Sequence, residues 1–122
     1  MDWSKVVLTI HIVIGICTCR RPEGLRALLR SLQELDVPAE VSAEVVIVDN
    51  DTSPSAQGVV SDFTVPLALP VRYVHEADPG IPQARNRMLR EAKYASFLLF
   101  VDDDETVTPS LLREHLRVQK VY

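Results

Sequence analysis

Phe97-Leu98-Leu99-Phe100-Val101-Asp102-Asp103-Asp104-Glu105 joins an unbroken apolar run to four consecutive acids. The apolar residues read as a strand covered on both faces, as in the middle of a parallel sheet. The acids then stand at the carboxyl end of that strand, the rim where open α/β sheets bind ligands. Loops are polar as a rule, so a solvated acidic turn capping the next helix is the plain alternative. Four adjacent carboxylates against a buried strand repel one another, however, and are costly unless a cation binds. In extended backbone Asp102 and Asp104 face one way and Asp103 the other. Two carboxylates on one side suit a hard divalent ion such as Mg²⁺ or Mn²⁺, which also takes diphosphate oxygens from a substrate.

Outward from this stretch, strand-like and helix-like segments alternate. Residues 6–16 are apolar at nearly every position and read as a first buried strand. Pro22 suits the first turn of a helix, and Leu25, Leu28, Leu29, Leu32 and Leu35 follow at helical spacing until Pro38. Residues 45–48 are a second buried strand, followed by a turn-rich run through Pro54. A short helix over residues 57–63 and an irregular crossing between Pro66 and Pro70 lead to a third strand at 71–75. That strand is less uniformly apolar and belongs nearer an edge. After the Asp78-Pro79-Gly80 turn, residues 81–93 form a helix with Ile81, Ala84, Met88 and Ala92 on one face. Thr108 and Pro109 are the N-cap and first residue expected for a last helix, with Leu111, Leu112, His115 and Leu116 as its stripe. The order β-α-β-α-β-α-β-α predicts an α/β fold with a mainly parallel sheet flanked by helices and right-handed crossovers.

The other strand ends carry further polar groups. Thr18, Arg20 and Arg21 follow the first strand, Asp49, Asn50 and Asp51 the second, and Glu76, Asp78 and Gly80 the third. Asp49 ends a buried strand and can accept a hydrogen bond from a base or ribose, or simply form its turn. Arg85 lies four residues after Ile81, on the apolar side of its helix, where a guanidinium needs an anion. The acidic run, a diphosphate or a structural ion pair would each serve. His11, His75 and His115 show no metal spacing with one another, and only His75 stands at a strand end. No G-x-G-x-x-G, G-x-x-x-x-G-K-[ST] or G-x-S-x-G is present, so dinucleotide, phosphate-loop and serine-hydrolase readings lack their motifs. A sugar nucleotidyltransferase would want a Gly-rich loop after the first strand, and residues 17–23 hold none.

The 122 residues are 47% hydrophobic and 25% charged, with a net charge of −4. This is the composition of one globular domain, neither disordered nor a disulfide scaffold, and its acidity argues against nucleic-acid binding. Residues 6–17 are too short to span a bilayer, which takes roughly 20 apolar residues. Asp2 spoils a signal-peptide start, and Ile16 occupies the place where a lipoprotein box needs a small residue. Cys17 and Cys19 supply two metal ligands at most and are awkwardly placed to bridge, so they read as free thiols fitting a reducing cytoplasm.

Four motifs occur in order: Ile14-Gly15-Ile16-Cys17-Thr18-Cys19-Arg20-Arg21-Pro22, Val46-Ile47-Val48-Asp49-Asn50-Asp51, Ala84-Arg85-Asn86 and Phe100-Val101-Asp102-Asp103-Asp104-Glu105. Together they resemble the nucleotide-sugar-binding half of a family 2 glycosyltransferase of the GT-A fold, similar to the branch containing succinoglycan-biosynthesis glucosyltransferases. The resemblance covers nearly all of residues 1–122 and implies a Rossmann-like half domain, truncated before its acceptor part. It implies that Thr18 and Asp49 hold the uracil and ribose of a UDP-sugar. Asp102 and Asp104 match the D-x-D metal motif, with Asp104 as the direct ligand of Mn²⁺ or Mg²⁺. The donor-binding set it implies is Thr18, Arg20, Asp49, Asp51, Arg85, Asp102 and Asp103. The reaction implied is inverting transfer of a sugar, from a UDP-hexose to a polysaccharide or lipid-linked acceptor at the cytoplasmic face of the membrane. The carboxylate base comes from the second half in that family and has no match here, so weak donor binding and poor transfer are expected of the chain alone. An open sheet edge and the last helical stripe would then favour self-association. Two alternatives stand beside this reading. One is a non-catalytic nucleotide-binding fragment. The other is a haloacid-dehalogenase-like phosphatase, in which Asp102-Asp103-Asp104-Glu105-Thr106 is read as D-x-D-x-T with Asp102 the nucleophile and Asp104 the acid/base.

Overall fold

A computed structural model describes residues 10–63 and 69–121, with side chains through residue 117. Eight elements alternate along it: β1 (Ile10–Thr18), α1 (Pro22–Leu32), β2 (Val41–Asp49), α2 (Gln57–Phe63), β3 (Val71–His75), α3 (Ile81–Glu91), β4 (Phe97–Asp102) and α4 (Leu111–Val121). The four strands form one parallel sheet in the order β3-β2-β1-β4. The expected α/β architecture is therefore present, with β3 at an edge.

Period-two alternation on β1 feeds two cores. Ile12, Ile14 and Ile16 point to one face, where Val45 and Ile47 of β2 meet leucines of α1, Val59, Val60 and Phe63 of α2, and Leu112 and Leu116 of α4. Val13 points to the other, with Val46, Val48 and Val74, against Ala84, Met88 and Ala92 near and on α3. Each fully buried leucine or isoleucine contributes about 1.5–3 kcal/mol. Gly15 lets α3 approach closely, because a Cβ there would lie 2.9 Å from Leu98 Cδ1 and 3.0 Å from Met88 Sδ.

Several boundaries differ from the sequence reading. The start of the expected first strand, residues 6–9, lies outside the described residues, as does Pro66. β2 begins four residues before the solid apolar run, because Ser42 and Glu44 alternate outward while Val41 and Ala43 face the core. α1 stops at Leu32, and tighter turns carry the chain on, with Leu35 N–H donating to the Leu32 carbonyl. α4 starts at Leu111 because Pro109 and Ser110 form a preceding turn. Ile81, expected on the apolar face of α3, is 73% exposed, since the buried stripe begins at Ala84. β4 was expected to be covered on both faces. It is an edge of the described sheet, with Val101 its one buried residue and Phe100 38% exposed. No helix among the described residues is long and apolar enough to cross a membrane.

Candidate functional site

β1 has β2 on one side and β4 on the other. α1 leaves β1 along one face of the sheet, and α3 reaches β4 along the opposite face. The crevice between the carboxyl ends of β1 and β4 is thus a topological switch point, where such sheets bind ligands. A cavity of about 330 Å³ opens there, lined by Cys17, Thr18, Cys19, Arg21, Asn50, Ile81, Ala84, Arg85, Asp102, Asp103 and Asp104.

The acidic run divides as strand alternation requires. Cys17 is in register with Asp102, which puts Asp102 on the α3 side. Asp103 turns to the other face and is buried, and its Oδ2 accepts the Thr18 hydroxyl at 2.9 Å. Gly24, in the first turn of α1, makes this possible: a Cβ there would lie 2.6 Å from the Asp103 carbonyl oxygen. Glu105 closes the turn, its carboxylate accepting the Asp102 N–H at 3.0 Å. Arg21 stands 4.0 Å from Asp103 and 3.9 Å from Asp104, close enough for attraction and too far for a hydrogen bond. Asp102 and Asp104 are both exposed to the cavity, and neither carboxylate accepts a hydrogen bond among the described residues.

A divalent cation fits this donor set in part. Two open carboxylates two residues apart offer hard oxygen ligands, and no group of three or more His, Cys, Asp or Glu side chains among the described residues encloses an ion. Mg²⁺ and Mn²⁺ tolerate such a site, since water and substrate phosphate complete their shell.

The Asp49-Asn50-Asp51 run is spent on the fold. Asp49 is fully buried, its Oδ1 accepting Asp51 N–H and its Oδ2 accepting Ala56 N–H at 2.8 Å and the Tyr73 hydroxyl. Burial, then that hydrogen bond to Asp49, push the Tyr73 hydroxyl pKa upward. Asp51 accepts from Ser55 and Thr52, which with the nearby Arg20 guanidinium hold its pKa low. Asn50 was not singled out as a site residue, yet its amide donates to the Glu76 and Asp78 carbonyls and accepts Gly80 N–H at 3.0 Å. It thereby sets the loop that launches α3, where Gly80 has a φ of 130° that favours glycine. The sequence signal was available: an amide directly after a buried strand, facing a turn full of free carbonyls.

The first cavity therefore brings together Thr18, Arg85, Asp102, Asp103 and Asp104, but not Arg20, Asp49 or Asp51. A second cavity of about 240 Å³ adjoins it, sharing Thr18 and Arg21 and adding Arg20, Pro22, Leu25, Ser55 and Ala56. Arg20 is there, in a left-handed conformation with φ of 53°, and Asp49 and Asp51 fix the positions of its Ala56 and Ser55 wall.

Arg85 is not buried on an apolar face, as its spacing suggested. It is exposed, with its guanidinium carbon 5.2 Å from the Phe100 ring centroid and no carboxylate at ion-pair distance among the described residues. Cys17 and Cys19 are free thiols. Burial raises the Cys17 pKa, and Arg85 works against that rise. His75 braces the site, its Nε2 lying 2.8 Å from the Asp51 carbonyl oxygen.

Residues 13–120 match the model of the family described as "Glycosyl transferase family 2". The chain is 40% identical over 112 residues to "Succinoglycan biosynthesis protein ExoM" of Rhizobium meliloti, covering 92% of this chain and 36% of that protein. Among solved structures it is similar to residues 1–349 of S. aureus TarS in complex with UDP, at a TM-score of 0.67 and 26% identity over 89% of this chain and 31% of that one. The fold alone is shared with a mannosyltransferase from Pyrobaculum calidifontis in complex with GDP-Man and Mn²⁺, at a TM-score of 0.75 and 20% identity over 94% of this chain and 36% of that one. The chain thus spans about a third of the length of the relatives it matches.

Proposed function

The chain belongs to glycosyl transferase family 2, and from that premise we propose that it holds the donor in an inverting, metal-dependent transfer of a sugar from a nucleoside diphosphate, UDP-hexose, to a polysaccharide or lipid-linked acceptor. One observation carries the reading: at the switch point the fold buries and satisfies Asp103 while leaving Asp102 and Asp104 open in a shared cavity.

In this reading Asp102 and Asp104 hold a divalent cation, Mn²⁺ or Mg²⁺, with Asp104 as the direct ligand. When bound, that ion offsets the charge that develops on the departing diphosphate. Thr18 and Asp103 act from behind, fixing the turn so that the two flanking carboxylates stay aimed outward. Arg85 presents N–H donors to phosphate oxygens from the α3 side. The nucleoside extends into the second cavity, past Thr18 and Arg20, along the wall that Asp49 and Asp51 set. The acceptor hydroxyl attacks the anomeric carbon in line, its bond forming as the bond to the diphosphate oxygen breaks. No described residue is assigned as the base that takes the hydroxyl proton. We propose the cytoplasmic face of a membrane as the place of the reaction, on the strength of the proposed acceptor alone. Family membership leaves the phosphatase alternative for Asp102 and Asp104 without support.

Titration calorimetry with UDP tests this. Binding is expected to need Mn²⁺ or Mg²⁺, and this metal-dependent binding is expected to be lost in Asp102→Asn and Asp104→Asn. UDP binding of equal strength without metal, or in both variants with metal, would overturn it.

A further inference from the structure

Phe100 occupies an unusual place. It lies two residues before Asp102 on the same side of β4, in register with Gly15, and is 38% exposed. Its ring carries the Arg85 guanidinium at 5.2 Å. A second arginine-aromatic pair shows what differs. Arg72 lies 5.9 Å from the Tyr94 centroid, but its charge is taken up by Glu91 at 2.7 Å. Arg85 has a ring and no carboxylate among the described residues, although it shares its cavity with Asp102, Asp103 and Asp104. A ring face restrains a guanidinium without neutralising it and leaves its N–H donors free.

We infer that Phe100 is a positioning residue: its ring holds Arg85 in the cavity that it shares with the acids, ready for the diphosphate of the donor. The inference rests on the proposed donor reading and adds the part that presents the chain's own positive charge. An arginine on an exposed helix face has many rotamers, and ordering one costs entropy. The ring lowers that cost before the ligand arrives, which is preorganisation. The contact concerns the diphosphate alone, since the nucleoside end lies toward the second cavity.

Calorimetry with Mn²⁺ present compares UDP and uridine on the unsubstituted chain, Phe100→Leu, Phe100→Tyr, Arg85→Met and the Phe100→Leu/Arg85→Met double variant. Phe100→Leu is expected to weaken UDP about threefold and leave uridine unchanged, and Phe100→Tyr to restore UDP. Arg85→Met is expected to weaken UDP about tenfold, with Phe100→Leu adding nothing on top of it. Equal losses for UDP and uridine, additive losses in the double variant, or failure of tyrosine to rescue overturn the inference. Full UDP affinity in Phe100→Leu overturns it alone, whereas absence of UDP binding by the unsubstituted chain overturns the donor reading and this inference with it.

Discussion

Two acidic runs close two neighbouring regions of the same sheet, and the fold treats them oppositely. After β2, Asp49 accepts hydrogen bonds from Asp51 N–H, Ala56 N–H and the Tyr73 hydroxyl, and Asp51 accepts from Thr52 and Ser55. After β4, Asp103 accepts from Thr18 and Glu105 from the Asp102 N–H, while Asp102 and Asp104 stay open among the described residues. The difference comes from what each run faces. The chain after β2 folds back over its own acids, supplying N–H and hydroxyl donors within seven residues of Asp49. The chain after β4 closes its turn with Glu105 and, among the described residues, supplies no donor to the Asp102 or Asp104 carboxylate. The proposed metal site follows the unspent acids and not acid density.

This contrast predicts opposite consequences for like substitutions. The largest stability effect is expected at Asp49: Asp49→Ala strands the buried Ala56 N–H and the part-buried Tyr73 hydroxyl and lowers unfolding free energy by about 3 kcal/mol, read by thermal or urea denaturation. Asp102→Asn and Asp104→Asn should leave stability within about 0.5 kcal/mol while removing metal-dependent UDP binding. Comparable destabilisation by all three would erase the contrast. Gly24→Ala sharpens it, because it changes no charge. The new Cβ presses on the Asp103 carbonyl oxygen, 2.6 Å away, and should cost about 1–3 kcal/mol and weaken metal-dependent UDP binding together.

A smaller effect concerns pH. Hydrogen bonds from Ser55 and Thr52 depress the Asp51 pKa, and Arg87 and Arg72 depress that of Glu91. Both groups bind protons more readily when unfolded, so their stabilisation is present above the ordinary carboxylate pKa of about 4 and is lost as pH falls through their lower folded values. Asp51→Asn should flatten the acid limb of a stability-pH curve. The smallest expected effect is at Arg20, whose φ of 53° suits glycine. Arg20→Gly should stabilise by about 1 kcal/mol in denaturant unfolding.

Much of the architecture was legible because buried parallel strands are uniformly apolar and helices are punctuated by proline. Val71–His75 and Gln57–Phe63 appear as read. Errors arose where a residue's role depends on what covers it. Ile81 and Phe100 are apolar and were placed inside by type, but the start of α3 and the α3-side face of β4 at Phe100 are open. Arg85 was given an apolar setting by spacing from Ile81, and both proved exposed. Within the site, alternation alone separated Asp103 from its neighbours. What sequence could not show was which carboxylates the fold had already spent, because Tyr73 and Thr18 reach their acids only through tertiary structure. Gly24 gave a signal that went unused, since glycine inside a helix costs about 1 kcal/mol relative to alanine and a close approach repays it.

The most direct test of unspent acid is a Mn²⁺ titration followed by electron paramagnetic resonance in the presence of UDP. The free-ion signal should fall on adding the unsubstituted chain or Asp51→Asn, and should persist with Asp102→Asn or Asp104→Asn. Loss of Mn²⁺ binding in Asp51→Asn, with binding retained in both Asp102→Asn and Asp104→Asn, would contradict the account.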